Sequence, residues 1–212
     1  VDGEGRAVRG GGKVVKNAAG FPFHRLMVGA LGAFGVMVEL SFKVFPRPRT
    51  TRTLRVRREG LKEALADLER LRLLPLDLLA LDLATLELRL GGFERSVEAR
   101  LKRLQDLLGD GEVLAEDEAH WEAVRDLGFL EGSPIWVKVP AKPHLIPRLE
   151  ALPLGPRRYL DGGEVLYAGT TEEGLKALRE EGLPHLVLRG AEAPLFPEPQ
   201  GAFFAGVKKA LD

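Results

Sequence analysis

From Phe34 to Val44 every even position is apolar: Phe34, Val36, Val38, Leu40, Phe42 and Val44. Between Glu39 and Lys43 the odd positions are polar. This is a period of two over about a dozen residues, and it predicts a long half-buried strand. A run rich in glycine leads into it, with Gly29, Gly32 and Gly35 three residues apart. Glycine carries no Cβ, so backbone can come close to a neighbour or a ligand. Phe23 to Val28 reads as one or two helical turns.

Thr50 to Arg52, just after Pro46 and Pro48, reads as a linker, and a domain boundary is placed there. Leu54 and Val56 then alternate with arginines, a strand signal. Leu61, Ala64, Leu65 and Leu68 have helical spacing, to about Leu73. Leu74 to Leu83 is apolar and holds a short buried strand or turn. Leu86, Leu88 and Leu90 alternate with Glu87 and Arg89, as in a half-exposed strand. Val97, Leu101, Leu104 and Leu108 mark a second long helix. The order strand, helix, strand, strand, helix suggests an antiparallel sheet covered by helices.

Further on, Val113 and Leu114 add a short strand. Asp117 is placed as the N-cap of a helix bearing Trp121 and Val124. Ile135, Val137 and Val139 form a strand, Pro143 to Leu152 a short helix, and Val165 to Tyr167 a strand. Thr170 and Glu173 have capping-box spacing ahead of a helix with Leu175 and Leu178. Leu186 to Leu188 is a last strand, and Phe203 to Leu211 reads as helix. The fold class is therefore α+β.

Composition narrows the function classes. Lys+Arg and Asp+Glu are equal at 31 each, which leaves no general basic footprint for nucleic acid. No apolar run is long enough to span a membrane, and no signal-peptide pattern opens the chain. Cysteine is absent, which excludes disulfides and thiolate chemistry. These features imply a cytoplasmic protein, with any membrane association made through partners. Asn17 is the only asparagine and glutamine is scarce, a thermophile-like composition.

The residues Val15, Lys16, Asn17, Gly20 and Phe21, then Leu26, Gly29, Ala30, Leu31, Gly32, Phe34, Gly35 and Val36, and later Phe45, Pro46, Arg47 and Pro48 form a pattern. It resembles the second half of the FAD domain in vanillyl-alcohol-oxidase-type flavoproteins, as found in bacterial glycolate oxidase subunits. Among these it is most like the small E-type subunits, whose Ser-Leu-Gly variant Leu31 fits. The resemblance is fairly specific over Gly10 to Pro48 and looser beyond. Ala30 stands where the family usually has Ser, Ala33 where it often has Thr, and Pro22 where Asp is common. Flavin contacts would then rest more on backbone.

The resemblance implies a partial FAD-binding domain over 1–49, an α+β cap domain with a ferredoxin-like sheet over 50–200, and a C-terminal helix over 201–212 returning toward the FAD domain. It implies cofactor contacts from Lys16, Asn17, Gly20, Gly29, Gly32, Gly35 and Val36. The family's first FAD lobe would lie upstream of Val1, so the FAD site is incomplete in these residues, whether by natural truncation or because they are a fragment. Read without the resemblance, Lys16 is a surface lysine, Asn17 a residue tolerating a left-handed turn, and the glycines a means of tight packing.

No catalytic constellation stands out. His24, His120, His144 and His185 lack metal-ligand spacing, which argues against a metal site. Gly109-Asp110-Gly111 reads as a turn. Arg157 and Arg158 could grip a substrate carboxylate, but a solvated surface pair is the favoured reading. Trp121, Trp136 and Tyr167 are assigned to packing.

Three functions remain. The first is a subunit of a glycolate-oxidase-like complex, passing electrons through FAD while a partner oxidises the 2-hydroxy acid. The second is a non-catalytic assembly subunit with a degenerate flavin lobe. The third, ranked lowest, is an independent oxidase. The implied partners are a D-type flavoprotein subunit and an iron–sulfur subunit, and a homo-oligomer is also allowed.

Overall fold

The computed structural model describes residues 1–12, 23–74, 76, 78–83, 85–109, 111–192 and 202–211. The chain divides into two compact units, Val1–Pro46 with Pro194–Asp212, and Arg47–Ala193.

The larger unit contains two copies of one arrangement. The first runs β1 (Thr50–Arg55), α2 (Leu61–Leu71), β2 (Ala80–Asp82), β3 (Glu87–Gly92), α3 (Glu94–Leu108) and β4 (Glu112–Leu114). Helix α1 (Phe23–Met27) precedes it in the smaller unit, and α4 (Glu118–Arg125) follows it. The second copy runs β5 (Ile135–Pro140), α5 (Ile146–Glu150), β6 (Arg157–Leu160), β7 (Val165–Thr170), α6 (Glu172–Glu180) and β8 (Leu186–Arg189). The sheet orders are β2-β3-β1-β4 and β6-β7-β5-β8, with every pairing antiparallel. Each is the split β-α-β arrangement, in which the third strand inserts between the first two. The last helix, α7 (Ala202–Leu211), belongs to the smaller unit.

Apolar periodicity explains the packing. Leu68 and Leu71 of α2 and Val97, Leu104 and Leu108 of α3 are buried with Leu54, Leu88 and Leu90 of the first sheet. Ile146 and Leu149 of α5 and Leu175 and Leu178 of α6 are buried with Val137, Val139, Leu166 and Ala168 of the second. All belong to one continuous core. Two arginines fasten α2 to the end of α3. The buried carboxylate of Asp67 pairs with Arg58 and Arg70, whose remaining N–H groups donate to the carbonyls of Leu108 and Leu107. These bonds engage carbonyls that a helix end otherwise leaves without partners.

The two copies meet at equivalent edge strands. Just past β2, the Leu83 N–H donates to the Tyr159 carbonyl of β6 at 3.0 Å. Gly163 turns the chain from β6 to β7 with φ +88, and a Cβ there would lie 3.0 Å from Leu83 Cδ1 and 3.1 Å from Ile146 Cδ1. Glycine is therefore required both by conformation and by the close approach.

Several expectations need correction. Thr50 to Arg52 is not a linker but the start of β1. Strand β6, which was not expected, holds Arg157 and Arg158; its four residues show no alternation for a pattern to reveal. Strand β3 is not half-exposed, because Glu87 is as buried as its leucine neighbours. Asp117 flanks α4 but makes no side-chain capping bond, and Thr170 and Glu173 form no capping box ahead of α6.

The expected strand from Phe34 to Val44 is not formed either. Phe34 is buried, but Val36, Val38, Leu40, Phe42 and Val44 are exposed, Val44 at 82%. Val36 exchanges backbone bonds with Val1, N–H to carbonyl at 2.9 Å and ammonium to carbonyl at 2.8 Å. An apolar alternation makes a strand only where a neighbouring strand extends the ladder.

Candidate functional site

The glycine run of the smaller unit folds into successive turns. The Ala30 N–H donates to the Met27 carbonyl, Ala33 to Ala30, and Gly35 to Gly32, at 3.2, 2.8 and 3.3 Å. Gly29, Gly32 and Gly35 all have positive φ, at 77°, 87° and 125°, and Leu31 joins them at 48°. A left-handed backbone disfavours side chains with a Cβ, so the three glycines fit the turn and Leu31 is strained.

Their surroundings differ. A Cβ on Gly29 or Gly32 would meet nothing within 4 Å, whereas one on Gly35 would lie 2.4 Å from the Val1 carbonyl oxygen. Gly35 thus permits a close backbone approach, while Gly29 and Gly32 leave open space over exposed main chain. Among the described residues, the Leu31 and Gly32 amides have no backbone acceptor. Successive amides in such a turn form a concavity suited to an anionic or electron-rich group. Ala30 is buried, while Leu31 and Val36 are exposed. Lys16, Asn17 and Gly20 lie outside the described residues.

The larger unit holds its charged groups in a different manner. Glu87 on β3 is buried and accepts from Arg55 Nε at 2.6 Å. Its other oxygen lies 2.7 Å from His120 Nε2 and 3.4 Å from Arg158 Nη1. Burial pushes the Glu87 carboxyl up. The hydrogen bonds from Arg55 and His120, with the charges of His120 and Arg158, outweigh that and hold it below its ordinary value. Arg158 also donates to the fully buried Asp82 at 2.7 Å and lies over the Phe129 ring.

Asp117 is the second buried hub. It accepts from Thr51 Oγ1 at 2.8 Å, Thr53 Oγ1 at 2.6 Å and both ends of the Arg89 fork at 3.2 and 2.8 Å. Thr53 in turn accepts from the Trp121 indole at 2.7 Å. Burial raises the Asp117 carboxyl, but the two threonines and Arg89 bring it below the ordinary range.

Arg157 and Arg158 are therefore neither a substrate grip nor a solvated pair. Arg157 donates to the carbonyls of Leu154, Leu149 and Gly155 and pairs with Glu150. Glu150 also accepts from the buried Tyr159 hydroxyl, whose pKa is raised by burial and by that carboxylate. Trp121 is buried in packing, as expected, while Trp136 and Tyr167 are half-buried. Spacing alone did not single out Glu87, Asp117 or His120 as members of networks. The available signal was the polar residue type alternating with leucine on β3.

These charged groups are engaged with one another, and no buried side-chain N or O atom lacks a hydrogen-bond partner among the described residues. In the turn at Gly29 to Gly35, a Cβ on Gly29 or Gly32 would meet nothing within 4 Å. Along 208 residues, 96% of this chain, the sequence is 34% identical to glycolate oxidase subunit GlcE of Escherichia coli (strain K12). The chain is thus similar in sequence to glycolate oxidase subunits over part of their length. A further match is to glycolate oxidase subunit GlcD of Bacillus subtilis (strain 168), 35% identical over 85 residues, or 39% of this chain and 18% of that protein. No protein-family model matches the chain. The likeness to GlcE reaches both units, but the chain covers 55% of the GlcE length, about half of that relative.

Proposed function

We propose that this chain carries the second FAD lobe and the cap of a vanillyl-alcohol-oxidase-type subunit in a glycolate-oxidase-like complex. In this reading 1–49 belong to the FAD domain, 50–200 to the cap, and 201–212 return to the FAD domain. The complex oxidises a 2-hydroxy acid, glycolate to glyoxylate, with a D-type flavoprotein and an iron–sulfur subunit as companions. The observation that carries this is the 34% identity to GlcE over 96% of the chain.

The turn geometry fits the role. Gly29 and Gly32 leave space over the backbone into which a flat ring or its ribityl chain can come without meeting a Cβ. The Leu31 and Gly32 amides face that role as donors, and Gly35 and Val36 anchor the turn against Val1. Lys16, Asn17 and Gly20 join the same cofactor by their place in the motif, Lys16 as the balancing charge. The flavin supplies the redox chemistry, and the protein positions and tunes it.

A second reading is supported by the larger unit. Its His120 is paired with Glu87, and Arg157 and Arg158 are occupied by the protein itself. A cap whose charged groups serve the fold suits an assembly subunit that leaves substrate oxidation to its companion. The test is to co-express the protein with its D-type companion, purify the complex, release the cofactor with acid and count flavin per subunit. One flavin on each supports the first reading. Flavin confined to the companion supports the second, and failure to assemble removes both.

A further inference from the structure

The internal repeat shows what one sheet face has and the other lacks. In the first copy the face away from α2 and α3 is covered by α4. Thr51 and Thr53, the second and fourth residues of β1, and Arg89, the third residue of β3 and cross-strand partner of Thr53, all bind the Asp117 carboxylate. Glu118 of α4 adds a second carboxylate to Arg89 at 2.9 Å. An acidic helix start therefore closes this face.

The same positions in the second copy are Trp136 and Lys138 of β5 and Tyr167 of β7, with Lys138 opposite Tyr167. All three are half-buried. The Lys138 ammonium stands 5.6 Å from the centre of the Tyr167 ring, and the Arg189 guanidinium of edge strand β8 stands 5.0 Å from that of Trp136. Among the described residues, neither Lys138 nor Arg189 has a carboxylate partner, and no helix reaches Trp136, Lys138 or Tyr167 by a hydrogen bond, ion pair or ring contact. The face thus offers two aromatic rings and two cations without a counter-charge. Aromatic residues and arginine are enriched at interfaces, and a cation held beside a ring is a ready partner for a carboxylate.

We infer that the outer face of the second sheet, at Trp136, Lys138, Tyr167 and Arg189, docks an acidic helix of a companion subunit in the way the first sheet takes α4. The identity of the companion rests on the functional reading above; the chemistry of the helix rests on the repeat. Carboxylates on that helix pair with Lys138 and Arg189, and its apolar side lies on the rings. Charge complementarity of this kind steers association and fixes orientation.

The test uses the co-expressed complex. Its surface lysines are acetylated with a limiting amount of an N-hydroxysuccinimide ester, and the labelling of Lys138 is compared between the complex and the separated chain by peptide mass spectrometry. Protection of Lys138 by at least about fivefold is expected, because a docked carboxylate would occupy its ammonium group. The double variant Lys138→Glu, Arg189→Glu is expected to bind the companion about tenfold more weakly, with the loss reduced at high salt. A circular dichroism spectrum of the variant checks its fold. Equal labelling of Lys138 in both states, in a complex that does assemble, overturns the docking face and leaves the functional reading standing. Cross-linking of this face to a second copy of the same chain also overturns it. A wild-type chain that never assembles overturns both.

Discussion

Asp82 and Arg158 meet across the seam between the two sheets, with Arg158 Nη1 2.7 Å from Asp82 Oδ2. Asp82 is fully buried and Arg158 is largely so. The pair sits beside the backbone bond from Leu83 to Tyr159, so charge and main chain join the two copies at the same place. Removing one member of a buried pair leaves the other charge poorly compensated. Arg158→Leu is therefore expected to lower stability by about 3 kcal/mol, read from the urea midpoint. An unchanged midpoint would show that the pair does not hold the seam.

Gly163 tests the same seam without charge. Its φ of +88 and the 3.0 Å approach to Leu83 leave no comfortable place for a methyl group. Gly163→Ala is expected to cost about 1–2 kcal/mol. Gly182→Ala serves as the control, because φ there is also positive, at +63, but nothing lies within 4 Å. The control should lose less, since it carries only the conformational penalty.

Thr53 relays a hydrogen bond from Trp121 to Asp117. Thr53→Val keeps the shape and removes the relay, leaving a buried indole N–H without its acceptor. The expected loss is about 1–3 kcal/mol, with altered emission from Trp121. Asp117→Asn, which weakens bonds to Thr51, Thr53 and Arg89 together, is expected to cost at least as much. Losses that add in the double variant would contradict a shared network.

Acid should act through the two buried hubs. Glu87 and Asp117 are both held below their ordinary values in the folded chain. Their contribution is full above the unfolded carboxylate range of about 4 and is lost as pH falls through the lower folded values. The urea midpoint should thus be flat from neutral pH toward that range and fall below it. Glu87→Gln and Asp117→Asn should each flatten the acid limb.

The helices were legible because their apolar positions recur at helical spacing, as at Leu61, Ala64, Leu65 and Leu68 in α2. The strand signals at Leu88 and Leu90 and at Val137 and Val139 were equally direct. What the sequence hid was partnership across distance. Glu87 and Asp117 look like solvated or capping residues until sheet pairing brings Arg55, Arg158, Thr53 and Arg89 beside them. The Phe34 to Val44 alternation misled for the opposite reason, since periodicity states which side chains share a face and not whether a ladder partner is present. At the candidate site, the glycine spacing correctly flagged special backbone, with positive φ at Gly29, Gly32 and Gly35. It did not separate Gly35, which accommodates Val1, from Gly29 and Gly32, which leave open space.

The measurement that bears most directly on the flavin reading is the absorbance spectrum of the purified protein after incubation with excess FAD and gel filtration, for wild type and for Gly32→Val. Flavin bands at about 450 nm are expected to be retained in the wild type. The bands should be reduced in the variant, whose side chain fills the space over the turn, with the urea midpoint used to check that the variant still folds. A protein that stays colourless would contradict flavin binding by this chain, and a variant that folds and retains FAD as well as the wild type would contradict the assignment of this turn to the cofactor.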